Sequence, residues 1–336
     1  MISSNLILTI FIFINFILLI NFSKIKIFHS NIDKPDKKRK FHSKPMPLAG
    51  GQIIFFNILL FWIIYYFTDN SLDNEIFFKD LSSFNYFIIF STIIFLLGFI
   101  DDKFNLKANL KFLILCLTIF FLLFIDKDLI INEIKFSFYQ TNYFMDEFSV
   151  FFSIFCFLVF INAFNMFDGI NLQSGLYSLI ILLSILFIAP NSLFIKILII
   201  SVVSFIYLNF KNKTFLGDSG SLLISFIISY FFIKLYNSNY IEYSDKIVLY
   251  MIVPGLDLIR LFVIRIINKK NPLSSDRNHL HHLLIKNYTF NKTLIIILLL
   301  VSFPITLDYL KIDNLITILI TVIIYSSLIK FISKAN

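Results

Sequence analysis

Phe148-Ser-Val-Phe-Phe-Ser-Ile-Phe-Cys-Phe-Leu-Val-Phe-Ile161 runs without a charge into Asn162-Ala-Phe-Asn-Met-Phe-Asp-Gly-Ile-Asn-Leu-Gln-Ser-Gly175, and residues 176–189 are apolar again. An uncharged apolar run of this kind reads as a membrane helix. It has an unusual end. Asn162, Asn165 and Asp168 recur at i, i+3 and i+6, which on a helix makes one polar stripe about two turns long. Gly169 and Gly175 then let the chain turn and leave room for a ligand. Two carboxamides and a carboxylate at a membrane edge can hold a hard cation or a polar substrate. The plain alternative is a capped helix end at a loop.

The rest of the chain repeats the apolar theme. Of 336 residues, 58% are hydrophobic and 45 are Phe, and the mean hydropathy is +0.85. A soluble fold has nowhere to bury so much apolar surface. The runs do not alternate apolar and polar residues, which excludes a closed barrel. The expected fold is therefore an all-α polytopic membrane helical bundle, one integral-membrane domain over residues 1–336. About eleven transmembrane helices are expected, near 4–22, 49–67, 84–100, 109–125, 148–165, 175–190, 193–210, 219–236, 246–267, 293–309 and 314–332. The run at 6–22 has no basic residue ahead of it and no small-residue cleavage site after it, so it reads as a retained helix. Cys116 and Cys156 both lie in apolar runs and imply no disulfide.

The net charge of +8 is distributed by loop. Loop 23–48 carries Lys24, Lys26, Lys34, Lys37, Lys38, Arg39, Lys40 and Lys44, whereas loop 68–83 carries Asp69, Asp73, Glu75 and Asp80 against Lys79. Loop 101–111 is basic again, as are Lys211, Lys213 and the loop 268–292. Such alternation marks basic cytoplasmic loops in a multi-pass inner (plasma) membrane protein, with the N-terminus outside and the C-terminus inside. The charge thus points to the lipid bilayer, and nucleic acid is excluded as a partner. Residues 134–139, between the fourth and fifth spans, are expected to form a short external hairpin.

Every loop with unusual polar residues then falls on the cytoplasmic face. Asp101-Asp102 end the third span. An ionised carboxylate at mid-membrane costs roughly 2.5–3.5 kcal/mol or more, so the pair belongs at the interface. Adjacent carboxylates repel unless a cation is near, which suits a base, a metal neighbour or a solvated helix end. Phe215-Leu-Gly-Asp-Ser-Gly-Ser221 opens the eighth span. Backbone N–H groups at a helix start attract anions, and Asp218 among them suits a divalent ion that binds the anion in turn. In Pro272-Leu-Ser-Ser-Asp-Arg-Asn-His-Leu-His-His282, the residues Arg277, His279, His281 and His282 suit a pyrophosphate, zinc, or a plain surface loop. In the first loop, His42 and Lys44 precede Pro45, Pro47 and Gly50-Gly51, a stiff approach to a closely packed span.

Together these loops resemble the polyprenyl-phosphate N-acetylhexosamine-1-phosphate transferase family. The shared pattern is Arg-Lys-x-His-x-x-Pro-x-Pro-x-x-Gly-Gly, then Asp-Asp, then Asn-Ala-x-Asn-x-x-Asp-Gly, then Leu-Gly-Asp-Ser-Gly-Ser, then Asp-Arg-x-His-x-His-His. The five occur in order and cover nearly the whole chain. The resemblance implies transfer of a sugar 1-phosphate from a UDP-N-acetylhexosamine to a polyprenyl phosphate, with release of UMP and a need for Mg2+ or Mn2+. It implies Asp101 as the base, with Asp102 in support, and Asn165 and Asp218 at the metal. Asn162 and Asp168 would shape the nucleotide side. Arg277, His279 and His281 would hold the diphosphate, and Lys44 and His42 would close the site. The His segment looks like the branch using UDP-N-acetylglucosamine, since Leu280 interrupts the three adjacent His usual in the peptidoglycan branch, whose donor is UDP-MurNAc-pentapeptide. One departure is plain. The family commonly reads Asp-Gly-Ile-Asp-Gly where this chain has Asp168-Gly-Ile-Asn171-Leu-Gln, so Asn171 is given no role. A homodimer is left open. The rival from another class is a transporter or lipid flippase; it needs mid-span ionisable residues, and Lys196 and Lys234 lie near span ends.

Overall fold

The computed structural model describes residues 3–35, 44–67, 76–271 and 278–334. The helices are α1 (Ser4–Asn21), α2 (Gly50–Phe67), α3 (Leu81–Phe104), α4 (Ala108–Ile125), α5 (Ser149–Phe167), α6 (Gln173–Ile188), α7 (Leu193–Phe210), α8 (Gly217–Asn237), α9 (Ser244–Ile267), α10 (Leu280–Asn287), α11 (Phe290–Tyr309) and α12 (Asn314–Lys334). Among the described residues, ten are long and apolar enough to cross a bilayer. The expected sixth span is α6, whose 16 residues rise only about 24 Å. This is the all-α membrane bundle that the hydropathy predicts. The loop 268–292 differs from expectation, because α10 forms within it. Leu280 and Leu284, four residues apart, share a helix face and are both buried.

α8 is the axis of the bundle. Its apolar window is buried along its whole length, and it packs on α2, α3, α5 and α6. Two glycines permit that approach. A Cβ at Gly51 would lie 2.4 Å from the Gly220 nitrogen, and one at Gly98 would lie 2.5 Å from the Asp218 carbonyl oxygen. Around the far half of α8, Phe78, Phe84, Phe87 and Phe231 surround Phe194, with the Phe87 and Phe231 rings edge-on to it. Aromatic side chains on the outer faces, such as Phe124 and Phe151, remain exposed, as a lipid-facing surface requires.

Two small hairpins mark the ends. β1 (Ile32–Asp33) pairs antiparallel with β2 (Met46–Pro47) before α2. β3 (Glu133–Ile134) pairs with β4 (Tyr143–Phe144) at the C-terminal end of α8, where the Lys135 N–H donates to Tyr236 Oη at 2.8 Å. The hairpin expected within 134–139 instead spans 133–144: residues 134–139 supply only Ile134 of the first strand and the start of the connection to 143–144. At this same end Lys234 is buried against Asp126 at 2.9 Å.

The tight contact sets a contrast. Gly98→Ala must push α3 off the α8 backbone and should cost about 1–3 kcal/mol. Gly255→Ala, with nothing within 4 Å of the new Cβ, should be neutral or stabilising. Thermal unfolding of the two variants in detergent measures both; equal melting temperatures would contradict the packing described.

Candidate functional site

Asp101 and Asp102 are neighbours on a helix, so their side chains leave α3 about 100° apart. They do different work. Asp102 accepts the N–H of Asp218 at 2.7 Å on one oxygen and the N–H of Ser219 at 3.1 Å on the other. It caps the start of α8, where unpaired N–H groups and the helix dipole favour a carboxylate. Gly217 has φ +76°, and a Cβ there would sit 2.8 Å from the Asp102 carboxylate. Asp101 instead accepts the Leu106 N–H at 2.7 Å and the Lys111 ammonium at 2.7 Å.

Asp218 joins the other elements. Lys111 Nζ also donates to its Oδ2 at 3.1 Å, and Asn165 Nδ2 donates to its Oδ1 at 2.7 Å. Asn165 donates to Ser221 Oγ as well, at 2.7 Å. The side chain of Asp218 is 35% exposed while that of Asp101 is 8% exposed, so Asp218 is the open carboxylate of the two. The expected stripe on α5 divides here. Asn165 enters the cluster, but Asn162 turns back to donate to the Leu158 carbonyl of its own helix at 2.7 Å. Asp168, just past the helix end, accepts from Ser174 Oγ at 2.5 Å.

The first loop is fastened alongside. The Phe215 N–H donates to the Pro47 carbonyl at 2.9 Å, and the Gly50 and Gly51 N–H groups donate to the Phe215 and Leu216 carbonyls at 3.0 and 3.1 Å. Pro47 lacks an N–H but offers its carbonyl, so the Pro-x-x-Gly-Gly stretch becomes a ribbon on the segment leading into Asp218. Lys44 is exposed just before β2. His42 lies outside the described residues, as does Arg277.

The histidines form a second node, centred on Asp257 of α9. Asp257 Oδ1 accepts from Arg260 at 2.7 Å, from Tyr325 Oη at 2.8 Å and from the Leu280 N–H at 3.1 Å. Its Oδ2 lies 3.1 Å from His279 Nδ1. The rings of His279 and His281 are parallel, with centroids 5.4 Å apart. His281 rests on Gly169, where a Cβ would fall 1.9 Å from its Nε2. The histidine segment therefore docks directly on the residue after Asp168. Asn171 bonds instead to Asn212 on the surface at 2.7 Å. Leu172, near where the family has glycine, holds φ +70°, a left-handed conformation that costs a side-chain-bearing residue about 1–2 kcal/mol.

Sequence reading missed Lys111, Asp257, Arg260, Tyr325 and Ser174. Two of these left a signal. Lys111 was counted as one more basic loop residue, although it follows Asp101 across a tight turn. Asp257 interrupts an apolar span, and an ionisable residue there is by default a site candidate.

Residues 84–236 match Glycosyl transferase family 4. The chain is 30% identical over 285 residues to the undecaprenyl-phosphate alpha-N-acetylglucosaminyl 1-phosphate transferase of Thermotoga maritima, covering 84% of this chain and 81% of that protein. It is 27% identical over 314 residues to the protein of the same name from Salmonella typhi, covering 89% and 79%. With that of Yersinia pestis it shares 24% over 289 residues, covering 82% and 75%.

Burial, helped by His282 and His279 beside it, holds the His281 imidazole well below its ordinary value of 6.5. Below that pH the unfolded chain takes up a proton that the folded ring refuses, so acid lowers stability, and the loss is absent above it. Melting temperatures at about pH 8 and about pH 5.5 should fall less for His281→Gln than for the wild type. An unchanged pH slope in the variant would show that His281 carries none of the loss.

Proposed function

The chain belongs to glycosyl transferase family 4, and from that premise we propose that it transfers N-acetylglucosamine 1-phosphate from UDP-N-acetylglucosamine to undecaprenyl phosphate, releasing UMP. The observation that carries this reading is the hydrogen-bonded set Asp101–Lys111–Asp218–Asn165, which draws α3, α4, α5 and α8 to one end of the bundle. The shared printed name of the relatives favours this donor over UDP-MurNAc-pentapeptide. The mid-span acid that a transport path would need, Asp257, is taken up by Arg260, Tyr325 and the Leu280 N–H. Ser225 and Ser229 on α8 turn their hydroxyls back to carbonyls of their own helix, at 2.6 and 2.8 Å.

Attacker and donor are both anions, so charge neutralisation and positioning dominate the reaction. The donor set fits Mg2+ or Mn2+. Among the described residues no three His, Cys, Asp or Glu side chains form a ready cage. Mg2+, however, commonly takes one or two carboxylates and completes its shell with water and substrate phosphate. Asp101 and Asp218 already converge on one cationic point, the Lys111 ammonium. Asp218 would hold the ion; Asn165, expected at the metal, instead turns its Nδ2 to Asp218 and Ser221 and so would steady that carboxylate rather than ligate, and the bound ion would neutralise the phosphates and polarise the bond to the leaving UMP.

The remaining roles fall to the chain's own side chains. A phosphate oxygen of the lipid attacks the sugar-bearing phosphorus, and the bond to UMP breaks. Asp101 accepts the proton of the lipid phosphate where one is present. Asp102 is a positioning residue, since it fixes the start of α8 and thereby Asp218. Asp168 shapes the nucleotide side, and Asn162 lies nearly two turns back along α5. His281 is neutral, so it binds phosphate as a hydrogen-bonding group, while His279 is oriented by Asp257. Lys44 and His42 would close the site from the first loop and Arg277 would hold the diphosphate, as the family resemblance implies; His42 and Arg277 lie outside the described residues. We place this end of the bundle on the cytoplasmic side of the inner membrane, on the strength of the basic loops.

Purified protein given labelled UDP-N-acetylglucosamine, undecaprenyl phosphate and Mg2+ should form labelled lipid and UMP. Asp101→Asn should lower the rate by about 10²-fold or more at equal protein level. No labelled lipid from the wild type would refute the reading, and wild-type transfer by the variant would refute the base assignment.

A further inference from the structure

Lys111 sits where a bound cation would be expected. It stands in the first turn of α4, reached from Asp101 by a sharp turn at Asn105, whose φ is +50°. Its side chain is only 14% exposed, and its nitrogen lies 2.7 Å from Asp101 and 3.1 Å from Asp218. Those two carboxylates come from helices packed side by side, and Gly98 locks the helices at close contact. They cannot move apart to relieve their repulsion. Two like charges held this way repel unless a counterion lies between them or one keeps its proton, and here Lys111 supplies the counterion.

We infer that Lys111 is an exchangeable counterion: it bridges Asp101 and Asp218 in the ion-free protein, and a divalent cation takes over Asp218 by displacing it. The inference rests on the metal-dependent reading above. It has a consequence for binding order. With lysine alone, the two carboxylates outnumber the one ammonium, and the trio repels a phosphate. A divalent ion reverses that sign while leaving the ammonium nearby for the incoming anion. Phosphate-bearing substrates therefore bind after the ion.

Removal of the lysine charge should tighten ion binding, the reverse of what loss of an ordinary supporting residue does. Mn2+ titration of the detergent-solubilised full chain, followed by electron paramagnetic resonance without nucleotide or lipid, reads this directly. Lys111→Met should bind Mn2+ about tenfold more tightly than the wild type, since breaking a partly buried pair frees the carboxylates. Its melting temperature should drop in EDTA and recover with Mn2+, while the wild type changes little. Lys111→Arg keeps the charge and should match the wild type in both measurements. If Lys111→Met fails to fold, the double variant Lys111→Met/Asp101→Asn removes one carboxylate with the ammonium and should restore folding in EDTA. Equal or weaker Mn2+ binding by Lys111→Met than by the wild type, or, where only the double variant folds, by the double variant than by Asp101→Asn alone, overturns the exchange. Absence of Mn2+ binding in wild type and variants alike overturns the metal reading itself.

Discussion

A helix buried on every side still begins with backbone N–H groups that lack partners within the helix. In this protein that helix is α8, and Asp102 meets two of those groups with its two oxygens. Much of the site follows from this one cap. It ties the end of α3 to the start of α8, and the missing side chains at Gly98 and Gly217 let the two backbones close. Asp218 is then fixed within reach of Lys111 and Asn165. The ribbon from Pro47 to Gly51 fastens the same segment from its other side. An acidic cluster at a membrane edge is costly unless compensated. Here the compensation comes from a helix terminus, an amide and one ammonium.

The other end of α8 obeys the same electrostatic rule with opposite sign. Lys234 lies in the last turns, where carbonyls and the helix dipole favour a cation, and Asp126 and the Tyr230 hydroxyl complete its surroundings. A buried ion pair of this kind is weak evidence for stability, but leaving either partner alone would be expensive. The axis helix is thus anchored at both ends by charge and along its length by aromatic packing. The two ends differ in the cation that faces the acids: Lys234 of α8 itself at one, Lys111 of α4 at the other.

Apolar runs gave the order of the long helices directly, because lipid accepts little else. The five motif loops were also legible. What the sequence could not convey was which polar atoms face one another. Asn162 and Asn165 look equivalent by spacing, yet only Asn165 lies beside Asp218, while Asn162 satisfies itself on a carbonyl below. Asp101 and Asp102 look like a pair, yet one caps a helix and the other meets a lysine. Lys111 was hidden among basic loop residues that already had an explanation, since orientation alone accounts for cytoplasmic lysines. Asp257 was hidden for the opposite reason. The polar loops drew notice, and a single acid within an apolar span did not, although His279, Arg260 and Tyr325 all depend on it. α10 was too short for its pattern to stand out from a loop.

The central proposal is that Asp218, steadied by the Asn165 amide, holds a divalent cation beside Asp101 at one end of the bundle. Its most direct test is anomalous scattering from crystals grown with Mn2+. A single strong peak should lie about 2.1 Å from a carboxylate oxygen of Asp218, with the Lys111 nitrogen drawn away from that oxygen. Mn2+ bound away from Asp218, or Asp218 still joined to Lys111 with the ion elsewhere, would contradict it.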